Sequence, residues 1–358
     1  MKNTFGNNIH VTIFGESHGE FIGAVLDGVP SGIPVCDEYI ASRLKMRRPS
    51  GKISTARVEK DEYKIVSGVL NCYTTGSPIT IIIPNTNTKS TDYDTLRTTP
   101  RPSHADYTAE VKYGGFQDAR GGGHFSGRVT AALVAAGAIL SYALLQKGIK
   151  IGTHISRLCG ICDTPFEELD EKKLSLQLES LKSREFPVLC DDIKAEMQKV
   201  IEEAANLGDS VGGVLECAIV GVPAGLGEPW FDSIESMLSH VLFSIPGVKG
   251  VEFGRGFGFA DMLGSEANDS FKYSGDRIVT ATNNNAGING GITNGMPIIF
   301  RTAIKPTPSI FKKQNTVDLK AKENTVIEIS GRHDPAIVHR ARAVADAAAA
   351  IVIADFLL

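Results

Sequence analysis

From about residue 126 to residue 147 the chain writes SGRVTAALVAAGAILSYALLQK, a helical pattern with Ala131, Ala132, Ala135, Ala136, Gly137 and Ala138 at many positions. Side chains this small let a helix approach closely to a sheet or to a second helix, so the fold has to supply such a partner. A second alanine-rich apolar helix, PAIVHRARAVADAAAAIVIADFLL, is expected over 335–358, with Asp334 as N-cap and Pro335 at the first helical position. Apolar runs at 10–14, 21–27, 79–84, 214–222 and 296–302 predict strands. Residues 163–167 (DTPFE) read as a helix start, with Thr164 capping, Pro165 in the first turn and Glu167 completing a capping box. That helix is expected to run to about 183, and another from 191 to 205. These β-rich and α-rich stretches interleave over all 358 residues, which favours one compact α+β domain, 1–358, over two independent ones.

The helix at 126–147 follows a segment that says most about function. Between Arg101 and Arg128 stand three arginines, two histidines and six glycines. Glycine lets backbone N–H groups approach a ligand, and a following helix N-terminus favours anions. Arginine offers a planar fork to phosphate or carboxylate, and histidine exchanges protons near neutral pH. The basic stretch 42–57, SRLKMRRPSGKISTAR, carries Pro and Gly in its middle. It is expected to be a flexible loop of the kind that closes over anionic ligands. Overall, 37 basic against 41 acidic residues give a net charge of −4, which argues against a nucleic-acid or membrane polycation.

Six cysteines are scattered, and only Cys159 and Cys162 have CxxC spacing, with no second pair for zinc. Reduced, buried thiols and no metal site are expected. The N-terminus lacks a basic region followed by an apolar run, and no window of about 18 residues reads as apolar enough to span a bilayer. A cytoplasmic location is the expectation. No GxxxxGK[ST], no GxGxxG opening a helix and no HExxH occurs. Phosphoryl transfer from ATP, Rossmann-type hydride transfer and zinc proteolysis are thereby disfavoured.

His18 lies in GESHG directly after a strand, at the kind of sheet edge where sites are built. His104 lies in RPSHAD, where Pro102 stiffens the loop and Asp106 could fix the ring tautomer. Either histidine could equally be structural. Asp334 could be a helix cap, a proton acceptor at the helix mouth, or both, and Arg332 would hold an anion beside it. Lys305, Pro306, Thr307, Pro308 and Ser309 put one cation and two hydroxyls on a proline-stiffened loop. Asn283, Asn284 and Asn285 gather amides in a glycine-rich turn. Together these point to a small substrate carrying several negative charges.

GESHG, RRP, TTGSPI, RPSHADYT with KYG, RGGGxxSxR, VKGVEFG, GGIxNG, KPT and GRHDP occur in that order from about residue 5 to 357. In this ordered set the chain resembles the chorismate synthases. The resemblance implies a β-α-β sandwich, a homotetramer and a lyase that removes phosphate from 5-enolpyruvylshikimate 3-phosphate by 1,4-elimination to give chorismate. It implies reduced FMN as cofactor, although the reaction has no net redox change. Carried over by motif, His18 protonates the departing phosphate, His104 serves the reduced flavin, and Asp334 takes a proton from the flavin. Arg47, Arg48 and Arg128 fall to the substrate and the nicotinamide cofactor. His124, Phe125, Ser126, His240, Val241, Gly290, Lys305, Pro306, Thr307, Pro308, Ser309 and Arg332 fall to FMN.

The chain departs from the family pattern at His124, His240, Ala286, Ala336, His339 and Asp346. An imidazole at 124 in place of arginine predicts weaker FMN binding at high pH. No extra segments of the kind that let fungal-type members reduce their own flavin are visible. Reduced flavin is therefore expected from an external reductase, with NADPH as the indirect source. Two readings from other classes are a non-catalytic anion-binding module, for instance for RNA, and a flavin-free isomerase or hydrolase of an anionic sugar.

Overall fold

Alternation of buried and half-buried side chains builds the first sheet. Its strands are β1 (Thr4–Phe5), β2 (His10–Gly15), β3 (Phe21–Asp27), β4 (Lys64–Ser67) and β5 (Ile79–Pro84), paired antiparallel in the order β1-β2-β3-β5-β4. Ile79, Ile81 and Ile83 are fully buried while their neighbours are half-buried, the period of a strand with one face on the core. The second sheet contains β6 (Lys150–Leu158), β7 (Ile161–Cys162), β8 (Gly213–Val220), β9 (Val248–Phe253) and β10 (Ile298–Ile304), in the order β9-β10-β8-β6-β7. This computed structural model describes residues 2–49, 51, 53, 54, 60–86, 98–329 and 334–358.

The helices are α1 (Asp37–Arg47), α2 (Asp106–Tyr113), α3 (Thr130–Gln146), α4 (Glu171–Leu181), α5 (Asp191–Asn206), α6 (Ile234–Ser244) and α7 (Val338–Leu357). Helix α3 packs on β3 and β5, α7 packs on β6 and β8, and the two helices pack on each other. The architecture is therefore sheet, helices, sheet: the α+β sandwich expected above. At the crossing, a Cβ built on Gly137 would lie 2.7 Å from the Cα of Ala347, so only glycine permits this approach. Outside the second sheet, Leu174, Leu178 and Leu181 of α4 form a smaller cluster with Phe166, Ala218, Val220 and Ile299. The ends of the chain meet: Asp355 accepts hydrogen bonds from the backbone N–H groups of Asn7, Asn8 and Ile9.

Several local expectations are corrected. The helix expected from 163 begins at Glu171, where Asp170 caps it by accepting from the N–H groups of Lys172 and Lys173. Thr164, the expected cap, is exposed in a non-helical stretch, and Asp163 before it is tied to His154 at 2.8 Å and to the N–H groups of Leu189 and Cys190. Helix α7 begins at Val338, three residues later than expected, and Asp334 does not cap it. The stretch 42–57 is not a loop throughout, because α1 runs to Arg47 and buries Arg43 and Arg47; residues 50, 52 and 55–59 lie outside the described ones. All six cysteines are free, but only Cys217 is buried. The membrane test also comes out differently: Gly127–Gln146, with mean hydropathy 1.8, is long and apolar enough to cross a bilayer by length and composition. Its position between two sheets explains this, since a helix enclosed on all sides is apolar on all sides.

Candidate active site

The glycine segment folds back on the end of β2. Gly121, Gly122 and Gly123 all have positive φ, a run that residues with a Cβ adopt only at a cost. The turn after β2 is stitched to this segment by the Ser17 N–H, which donates to the Gly123 carbonyl at 3.0 Å. Asn85, just beyond β5, donates from Nδ2 to the carbonyls of Glu16 and Gly19 and so fixes the other side of the turn. The result brings the two candidate histidines to neighbouring glycines. A Cβ on Gly121 would lie 2.3 Å from the His18 ring, and one on Gly122 would lie 3.2 Å from the His104 ring.

His104 stands in a charged triad at the start of α2. Its Nδ1 is 2.6 Å from Asp106 Oδ1, and Arg101 grips the same carboxylate through Nε and Nη2, each at 2.8 Å. Burial alone would raise the Asp106 pKa, but the hydrogen bonds from Arg101 and His104 outweigh it and hold the carboxyl well below its usual range. Arg101 also reaches Ser309 Oγ at 3.4 Å, and Lys305 Nζ donates to the Ser103 carbonyl. The 305–309 loop is thus fastened to the 101–106 loop. Burial, with Lys249 nearby, pushes the Lys305 ammonium below its ordinary value. A pocket of about 400 Å³, including space open to solvent, is lined by His104, Asp106, Glu110, Gln117, Gly122 and Phe125 among others.

A second cluster gathers the arginines. The Asp61 side chain is fully buried and pairs with Arg47 at 3.2 Å, Arg48 at 3.9 Å, and Arg128 more closely. Among the described residues, three guanidinium groups surround this one carboxylate. Arg128 Nε donates to Asn85 Oδ1 at 3.0 Å, which links the cluster to the turn that carries His18. Asp334 joins from the segment before α7: Arg340 donates to Asp334 Oδ2 at 2.6 Å and to the Arg47 carbonyl at 2.8 Å. Asp61, Asn85, Arg101, Asp106 and Arg340 were not assigned as site residues from the sequence. Of these Arg101, at the head of the glycine-rich segment, and Asp106, two positions from His104, left a signal.

His124 Nδ1 is 2.7 Å from the Gly15 carbonyl; a carbonyl only accepts, so Nδ1 carries the hydrogen and proton exchange falls to Nε2. Ser126 accepts from the Arg128 N–H and caps the turn leading into α3, while Phe125 packs edge-on to Tyr113. Three expected residues lie elsewhere in the single chain. His240 sits on α6 with its ring edge-on to Phe5, and Val241 beside it is buried in the core. Gly290 lies in the turn between the short strands Ile288–Asn289 and Ile292–Thr293, before β10, whereas Lys305 directly follows β10. The asparagine turn is used internally: Asn283 bonds Pro297 and Gly287, Asn284 bonds Arg255 and Glu266, and Asn285 bonds Asp269. Arg332 lies outside the described residues.

Comparison with known proteins agrees over the whole length. A family profile described as chorismate synthase matches residues 9–358. Chorismate synthase of Thermococcus gammatolerans is 46% identical over 354 residues, covering 99% of this chain and 97% of the relative. That of Chitinophaga pinensis is 44% identical over 356 residues, covering 99% and 96%. Among solved structures, a crystal structure of chorismate synthase superimposes with a TM-score of 0.77 at 30% identity, covering 99% of this chain and 92% of that one.

Proposed function

The chain belongs to the chorismate synthase family, enzymes of the step from 5-enolpyruvylshikimate 3-phosphate to chorismate, and we propose that it performs this 1,4-elimination with reduced FMN. The observation that carries the reading is the meeting of His18 and His104 on adjacent glycines, beside an arginine cluster, in a chain matched over its full length. In the reaction the C–O bond to phosphate and one C–H bond break, a C=C bond forms, and the departing phosphate needs a proton.

The residues fit a flavin. A side chain at Gly121 or Gly122 would run into the histidine rings, so the cradle requires glycine, and Thr307 Oγ1 is buried with no hydrogen-bond partner among the described residues. Thr307, Lys305, Pro306, Pro308 and Ser309, with His124, Phe125, Ser126 and Arg332, would hold it. Reduced FMN supplies, when bound, an electron reservoir that no side chain provides. His18 is the acid for the phosphate oxygen. His104 exchanges a proton with the cofactor side of the pocket, and Asp334, whose Oδ2 accepts from Arg340, is the carboxylate that takes up a proton. Arg47, Arg48 and Arg128 hold the anionic substrate, with Asp61 keeping three like charges together.

We further propose that the chain, 1–358, acts as one catalytic domain within a homotetramer. His240, Val241 and Gly290 would then serve a flavin held with a neighbouring copy; within one chain the His240 ring packs on Phe5 and the Val241 side chain is buried in the core. Reduced flavin would come from a separate reductase drawing on NADPH in the cytoplasm.

The test is direct. Protein mixed anaerobically with dithionite-reduced FMN and 5-enolpyruvylshikimate 3-phosphate should release chorismate, read by absorbance. No product with reduced flavin refutes the proposal, and product without any flavin favours a flavin-free elimination.

A further inference from the structure

We propose that Asp106 is a positioning residue that commits His104 to exchanging its proton at Nε2, and that Arg101 is the clamp of that carboxylate rather than a ligand for substrate anions. The inference rests on the assignment of His104 to the chemistry. Two contacts compete for His104 Nδ1: Asp106 Oδ1 at 2.6 Å and Arg101 Nη2 at 3.0 Å. A carboxylate only accepts and a guanidinium only donates, so the ring nitrogen cannot satisfy both. Nδ1 either carries a hydrogen for Asp106 or offers a lone pair to Arg101.

The geometry decides for Asp106. The contact to the carboxylate is shorter and charge-assisted. Arg101 makes three bonds to this carboxylate, from Nη2 and Nε at 2.8 Å each and from its backbone N–H at 3.0 Å. Its Nε, Nη2 and main chain are therefore turned to Asp106, and its Nη1 to Ser309. Asp106 in turn is ionised throughout the neutral range, held so by Arg101 and His104 against its burial. Nδ1 keeps its hydrogen and donates it to Asp106 whether the ring is neutral or charged. Nε2 is left as the exchanging atom, and it faces the glycine cradle: a Cβ on Gly122 would lie 3.4 Å from it. The orientation is set before any ligand arrives.

The experiment is ¹⁵N NMR of the histidine rings in the full chain, assigned through His104→Ala, with steady-state kinetics on the same proteins. Wild type should show His104 as the Nδ1–H tautomer. Asp106→Asn should move it toward Nε2–H and lower kcat by about 10²–10⁴-fold, with KM for substrate changed less than about threefold. Asp106→Glu should recover part of both signals. An Nε2–H tautomer in wild type overturns the proposal even if Asp106→Asn fails to fold. An unchanged tautomer and kcat in Asp106→Asn, or a loss confined to KM, overturns it as well. Full activity of His104→Ala would instead remove the premise, and the proposal with it.

Discussion

At the scale of single residues, the site joins polar pairs close in sequence, as Asp106 with His104, to pairs far apart, as Asp61 with Arg128. Replacing His18 or His104 by alanine should lower turnover by about 10²–10⁴-fold, measured as initial chorismate formation with reduced FMN in excess. Asp334→Asn should also lose turnover; because Arg340 rather than the helix is its partner, the variant should keep α7 intact by circular dichroism. Asp61→Asn removes the carboxylate shared by Arg47, Arg48 and Arg128. With the Asp61 side chain fully buried, the loss should cost about 3 kcal/mol in urea unfolding. At His124, replacement by alanine should raise the dissociation constant for reduced FMN, and an unchanged constant would remove the cofactor role.

At the scale of elements, the decisive contact is between α3 and α7. Alanine normally stabilises a helix interior over glycine by up to about 1 kcal/mol. At Gly137 the sign reverses, because the added methyl would meet the Ala347 backbone rather than a side chain that can move. Gly137→Ala should therefore destabilise by about 1–3 kcal/mol, read from the urea midpoint, and a gain in stability would mean that the helices can part. The sequence made this packing legible, since alanine and glycine crowd both segments. It did not reveal where α4 and α7 begin. Asp-Thr-Pro and Asp-Pro are good local starts, but Thr164 stands in a non-helical stretch beside Asp163, which is bound to a buried histidine, and Asp334 is paired with Arg340. At Asp334 an ion pair competes for the carboxylate that a cap would use.

At the scale of the whole molecule, two buried histidines should shape stability against pH in opposite senses. His339 is held neutral by burial, with Arg340 and Arg342 adding repulsion, and its pKa is pushed down to about 3. The unfolded chain binds this proton near pH 6.5, so stability falls as pH drops below 6.5 and continues falling to about 3, by on the order of 4 kcal/mol. His339→Leu should flatten that acid slope in urea midpoints taken between pH 4 and 7. His154 is different: burial would lower its pKa, but Asp163 and Glu216 on either side of the ring raise it. Its contribution is complete below pH 6.5 and fades as pH rises through the folded-state value. The departure at His339 is thus explained by the fold, which keeps the ring as uncharged as the non-ionisable residue usual there.

The sequence by itself determined the fold class, the pairing of two small-residue helices with strands, and the motifs carrying His18, His104 and the arginines. Those signals are local: periodicity, turn residues and short ordered patterns survive without knowledge of the rest of the chain. Only the tertiary structure decided which glycine faces which histidine, that Asp106 faces His104 Nδ1 and is clamped by Arg101, and that Asp61 gathers three arginines. A buried charge takes its partner from whatever the fold brings within about 3 Å, and that proximity is set by packing between elements rather than by spacing along the chain.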